Sequence, residues 1–169
     1  MRASTSIHRP VGRADLLRGD AGGRRRPIRP PWALPESRFT ERCTGCGACV
    51  EACPEGILRR ARGRLPVVEF RAGECTFCGD CVRACSDGAL VRSTGDRPWM
   101  LIATIGGDCL ARRGVECRVC GERCEARAIG FRLVPGRVAS PEVDPGACTG
   151  CGACAAPCPV GAVSVGSAL

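Results

Sequence analysis

Cysteine carries the chemistry of this sequence. The 169-residue chain contains 16 of them, and their spacing repeats. Cys43-Thr-Gly-Cys46-Gly-Ala-Cys49-Val-Glu-Ala-Cys53-Pro54 sets three thiols at three-residue steps, then a fourth four residues on, then a proline. Cys75, Cys78, Cys81 and Cys85 repeat the steps, as do Cys148, Cys151, Cys154 and Cys158 ahead of Pro159. Cys117, Cys120 and Cys124 keep the last three members, and Cys109, eight residues before Cys117, is the remaining one. Four sets of four account for every cysteine. Such a run is the ligand pattern of a [4Fe–4S] cubane, with the fourth thiol aimed at a neighbouring cluster. All 16 are candidate metal ligands, for up to four clusters: three regular sites and one irregular.

The competing chemistries fit less well. Zinc sites generally use two cysteine pairs separated by a longer loop, and a secreted disulfide scaffold has no need of three cysteines in one tight turn. Gly45 and Gly47 can take positive φ, which lets backbone N–H groups face cluster sulfurs. Pro54 lacks a donor and restricts the residue before it, which turns Cys53 away from its neighbours. Two sets depart from the pattern. Phe77 stands where the first has Gly45, and is expected to shield a cluster from water; Ser86 replaces the proline. In the Cys109 set a seven-residue loop separates the first two thiols, no glycine lies between Cys117 and Cys120, and Glu125 replaces the proline. That site is expected to be labile or more exposed.

If the fourth thiol of each set serves the other cluster of a pair, as in two-cluster ferredoxins, the groups follow. Cys43, Cys46 and Cys49 join Cys85; Cys75, Cys78 and Cys81 join Cys53. Cys148, Cys151 and Cys154 join Cys124; Cys109, Cys117 and Cys120 join Cys158.

Composition supports a metal-centred fold. Aromatics make up 4% of the chain and there is no Tyr. An apolar core in two units of about 65 residues would contribute roughly 3–5 kcal/mol each, whereas metal ligation by a small thiolate domain contributes on the order of 10–16 kcal/mol. The clusters are therefore expected to be the core, and the iron-free chain to be largely unfolded. The net charge is +8, and every Lys or Arg is Arg. Residues 1–42 hold ten Arg against Asp15, Asp20, Glu36 and Glu41, or 10 − 4 = +6. Four oxidised clusters at about −2 each would bring the whole near neutrality, so the basic balance does not argue for nucleic acid. No signal-like apolar region opens the chain and no run approaches membrane-spanning length, which gives a cytoplasmic expectation with no membrane span. The only histidine is His8, and no glycine-rich loop sits between a strand and a helix, so the chain does not read as an enzyme.

The elements that must position these thiols divide the chain in three. Residues 1–28 form a basic arm, with a helical turn possible at Ala14-Asp-Leu-Leu17; the arm is either disordered or ordered by a partner. Units 29–96 and 97–169 each open on an Arg-Pro-Trp element, at Trp32 and Trp99, and each tryptophan is expected to pack on its own unit. Short helices are predicted from Cys49 and Cys81 and within 148–160. Strands are predicted at 65–70, 88–91, 99–105, 128–134 and 162–165. The fold class is α+β: two tandem bacterial-type 2[4Fe–4S] ferredoxin-like units.

The segments between the thiols add a resemblance. Arg29-Pro-Pro-Trp32, the order of the four sets, Thr104-Ile-Gly106 leading into Asp108-Cys-Leu-Ala111, and Val115-Glu-Cys-Arg118 make the chain similar to the NapF-like ferredoxin-type proteins of periplasmic nitrate reductase operons, over all but the arm. The resemblance implies a cytoplasmic iron–sulfur accessory protein. Its partners would be the catalytic subunit precursor of the nitrate reductase, bound before export and assisted in [4Fe–4S] maturation, and a soluble electron donor. The alternative is a general multi-cluster electron carrier for a redox enzyme.

Overall fold

The computed structural model describes residues 27–95 and 97–167. The predicted arm, with Ala14–Leu17 and His8, lies outside the described residues apart from positions 27 and 28.

Short elements surround the cysteine loops. Helix α1 (Glu36–Arg42) precedes the first loop and helix α2 (Ala48–Glu51) begins inside it. Strands β1 (Leu58–Arg60) and β2 (Pro66–Val68) pair antiparallel, Leu58 opposite Val68. Helix α3 (Asp80–Arg83) follows in the second loop. Strand β3 (Leu101–Ile105) opens the C-terminal half, helix α4 (Val119–Glu122) carries Cys120, and β4 (Ile129–Val134) and β5 (Arg137–Val143) form an antiparallel hairpin with a bulge between Arg132 and Val134. Strand β6 (Val163–Ser167) returns to pair with β3, Leu101 opposite Ser167.

Alternation explains the β3–β6 ribbon. Leu101, Ala103 and Ile105 are buried on one strand, as are Val163 and Val165 on the other, so one face covers the cysteine loops and the other meets solvent. Helix α1 depends on one residue. Phe39 is fully buried, the Arg29 guanidinium lies 4.9 Å from its ring centre, and Arg29 also binds both carboxylate oxygens of Glu36, at 3.0 and 2.6 Å.

Three expectations need correction. The strand predicted at 88–91 is a single bridge, Leu90 opposite Ala33. The last loop has turns in place of the helix predicted within 148–160. In the first loop Ala52 N–H donates to the Ala48 carbonyl at 2.9 Å; Pro157 occupies the corresponding place in the last loop and has no N–H to donate. Finally, Trp99 does not pack on its own half alone. Its ring stands edge-on to Phe70 and Phe77 of the other half, at 5.8 and 5.7 Å, while its indole N–H donates to the Thr149 carbonyl at 3.1 Å. Trp32 also reaches across: its backbone N–H donates to the Pro98 carbonyl at 2.7 Å.

Candidate metal centres

Each regular loop is bent by the same backbone device. Two left-handed residues flank the second thiol: Gly45 (φ 70°) and Gly47 (φ 86°) around Cys46, Phe77 (φ 56°) and Gly79 (φ 82°) around Cys78, Gly150 (φ 73°) and Gly152 (φ 86°) around Cys151. Alternating handedness lines up successive N–H groups on the concave side of the turn, a place suited to sulfur or another anion. Phe77 holds this geometry despite its Cβ, at a cost of about 1–2 kcal/mol. A third left-handed residue follows each fourth thiol: Gly56, Gly88 and Gly161, and in the irregular set Arg127 (φ 50°). Its N–H donates back to the carbonyl of Cys53, Cys85, Cys158 or Cys124 respectively, closing the turn that aims the thiol.

These turns bring three of the predicted groups together. Cys43, Cys46, Cys49 and Cys85 line one cavity of about 20 Å³, walled by Phe39, Pro66, Ala89 and Leu90. Cys53, Cys75, Cys78 and Cys81 line a second of the same size, walled by Pro31, Ile57, Leu58 and Phe77. Cys124, Cys148, Cys151 and Cys154 line a third, against Ala103, Ile129 and Val165. In each, the odd thiol comes from the other set of the pair. Of the remaining group, Cys109 and Cys120 are buried and Cys117 and Cys158 half-buried, so it is not the more exposed group that its sequence suggested; burial, and then Cys109 and Cys117 nearby, push the Cys120 thiol up, and the Cys158 Sγ accepts the Ala162 N–H at 3.2 Å.

The donor chemistry fits an iron–sulfur cube. Burial, and then the neighbouring thiols of its own group, push Cys49 up to about 11. Burial also dominates at Cys81 and Cys154, each pushed up to about 12, with Cys75 and Cys151 respectively the next cause. Four clustered thiols in a dry pocket cannot ionise together unless a cationic core enters among them.

The cavities adjoin one another. Cys49 is among the thiols acting on Cys81, which ties the first cavity to the second. Cys151 acts on Cys75 after burial, Phe77 N–H and nearer thiols, and Cys75 N–H donates to the Cys151 carbonyl at 2.8 Å. That bond joins the second cavity to the third across the two halves. Sequence reasoning missed this junction; its components, Phe70, Phe77, Trp99 and Gly152, are far apart in the chain and only packing relates them. Phe70 fills the space that a Cβ on Gly152 would need.

Comparison with known proteins agrees with this geometry. Models of a 4Fe-4S dicluster domain match residues 42–90 and 114–162. The chain is 45% identical over 137 residues to the ferredoxin-type protein NapF of Escherichia coli K12, covering 81% of this chain and 83% of that one. It is 46% identical over 138 residues to NapF of Haemophilus influenzae, covering 82% and 78%. It is 36% identical over 157 residues to the methylamine utilization ferredoxin-type protein MauM of Paracoccus denitrificans, covering 83% and 70%. Two dicluster domains make the chain an iron–sulfur protein of the [4Fe–4S] type, with no catalytic family indicated.

Proposed function

The chain belongs to the family of NapF ferredoxin-type proteins, and from that premise we propose that it is a cytoplasmic accessory protein that binds the catalytic subunit precursor of a periplasmic nitrate reductase before export and assists its [4Fe–4S] maturation. All 16 cysteines serve as ligands, in the four groups given above, for up to four clusters. When bound, a [4Fe–4S] cluster accepts or releases one electron at a time. The chain's own residues hold the thiols, exclude water and keep the sites in register. Phe39, Leu90, Ile57 and Leu58 wall the N-terminal pair of cavities; Ala103 and Val165 wall the third.

The observation that carries the reading is the adjacency of three thiol-lined cavities through both halves. It supports a protein able to pass electrons, or a cluster, between a donor at one end and a client at the other. No helix among the described residues is long and apolar enough to cross a membrane. The experiment is capture of the reductase precursor by the intact chain, repeated after deletion of residues 1–28. The intact chain should retain the precursor; failure to do so, with rapid turnover as a carrier between soluble redox partners, overturns the accessory role. A general electron carrier is the second reading, favoured by the likeness to MauM, which is named for a different metabolism.

A further inference from the structure

We infer that the large cavity at the junction of the two halves binds a planar aromatic anion. It measures about 340 Å³, against about 20 Å³ for the thiol-lined cavities, and falls within the roughly 300–1,000 Å³ of small-ligand sites. Trp32, Phe77 and Trp99 supply aromatic walls, and Arg92 and Arg97 supply the charge. No carboxylate is found among the described residues that line it. Flat walls favour stacking of a flat ring, and guanidinium groups favour a phosphate or carboxylate, which they can bind through two parallel N–H donors.

The walls are held in place at some cost to the backbone. Trp32 (φ 59°) and Phe77 (φ 56°) are two of the four non-glycine residues with positive φ among the described residues, a conformation that is an outlier for bulky side chains and gathers at functional sites. The comparison within the chain is direct, because the other two regular loops place Gly45 and Gly150 where this one places Phe77. Trp32 is pinned on both sides: its N–H donates to the Pro98 carbonyl, and its carbonyl accepts Val91 N–H at 2.9 Å. The Arg92 guanidinium lies 4.7 Å from its ring centre.

A second observation points to a ligand. The Trp32 indole N–H is buried without a hydrogen-bond partner. Buried donors are nearly always satisfied, and an oxygen-bearing ligand would provide the acceptor. Cys148 and Thr149 line the cavity beside Trp99, and Phe77 lies between Cys75 and Cys78, so the ligand rests against loops of two thiol sets. It is a different ligand from the clusters proposed above.

The test is a fluorescence titration of flavin mononucleotide into the full chain, prepared anaerobically. Stacking should quench the flavin with a Kd of roughly tens of micromolar or tighter, and riboflavin, which lacks the phosphate, should bind at least about tenfold more weakly. Displacement of the flavin by an equal concentration of AMP would define a general nucleotide site; weak displacement would define one that needs the wider flavin ring. Both results keep the proposal. The double variant R92Q/R97Q should bind at least about tenfold more weakly. Phe77→Gly, which keeps a backbone natural to glycine, should also weaken binding. No quenching up to about 1 mM flavin, or binding by R92Q/R97Q equal to that of the parent, overturns the proposal. Iron content of the same samples reports the cluster reading separately.

Discussion

The loop carrying Cys43, Cys46 and Cys49 and the loop carrying Cys117 and Cys120 share a two-residue step between thiols, but their backbones take different paths. The first turns through Gly45 and Gly47, both left-handed. The second runs straight into helix α4, and neither Val119 nor Gly121 has positive φ. A helical path sends N–H groups along its axis to its own carbonyls, while the alternating path gathers them on one side of the turn. Two sites with the same ligand type can therefore differ in how much backbone supports the occupant. In the proposed fourth site the first ligand would lie across a seven-residue loop at Cys109, a residue held by its N–H to the Gly106 carbonyl at 3.3 Å.

That contrast can be broken most decisively by removing iron. An anaerobic chelator should take about four of about 16 iron atoms first, from the Cys109 group, with far-UV circular dichroism little changed. Loss of the remainder should unfold the chain. Simultaneous loss from all sites would place the four on an equal footing. Next in size is a pair of ligand deletions. Cys43→Ala should lower iron to about 12 per chain and melt the N-terminal half well before the other, whereas Cys117→Ala should lose the same iron with a smaller drop in melting temperature. Iron counts with thermal melts check this, and equal drops would remove the distinction.

Glycine replacements sharpen the comparison at the level of single atoms. Gly152→Ala forces a left-handed alanine into the Phe70 ring, and should destabilise the holoprotein by roughly 3 kcal/mol. Gly121→Ala also meets a ring, that of Phe131, but its backbone is helical and Phe131 is only half-buried. Its cost should be about 1 kcal/mol. Denaturant midpoints under anaerobic conditions distinguish them. The smallest effect is a gain. Arg127 is the one non-glycine among the four turn residues that follow a fourth thiol, so Arg127→Gly should relieve about 1 kcal/mol of backbone strain and raise the melting temperature by a few degrees.

Much of the arrangement around the thiols could be read from the sequence, because ligand spacing is a local property and the exchange of fourth thiols carries over from the two-cluster ferredoxin pattern. Three of the four predicted groups lie around common cavities. Apolar runs located β2, β3, β4 and β6. Other elements carry little local signal. Helix α1 has one buried residue, Phe39, and no side-chain cap. Strand β1 is Leu-Arg-Arg, exposed but for Leu58, and β5 includes Pro141 and two charged residues. Their pairing is decided by neighbours, as strand preference usually is. Which half Trp99 serves depended on contacts with Phe70 and Phe77 that no local pattern encodes.

The position of that tryptophan gives the molecule an optical gauge of its own. With two tryptophans and no tyrosine in the chain, Trp32→Phe leaves Trp99 as the sole strong near-ultraviolet emitter. Because its ring touches one half while its N–H is anchored in the other, parting the halves would expose the ring to water and shift its emission to the red, and loss of the neighbouring clusters would brighten it, both readable without an added label.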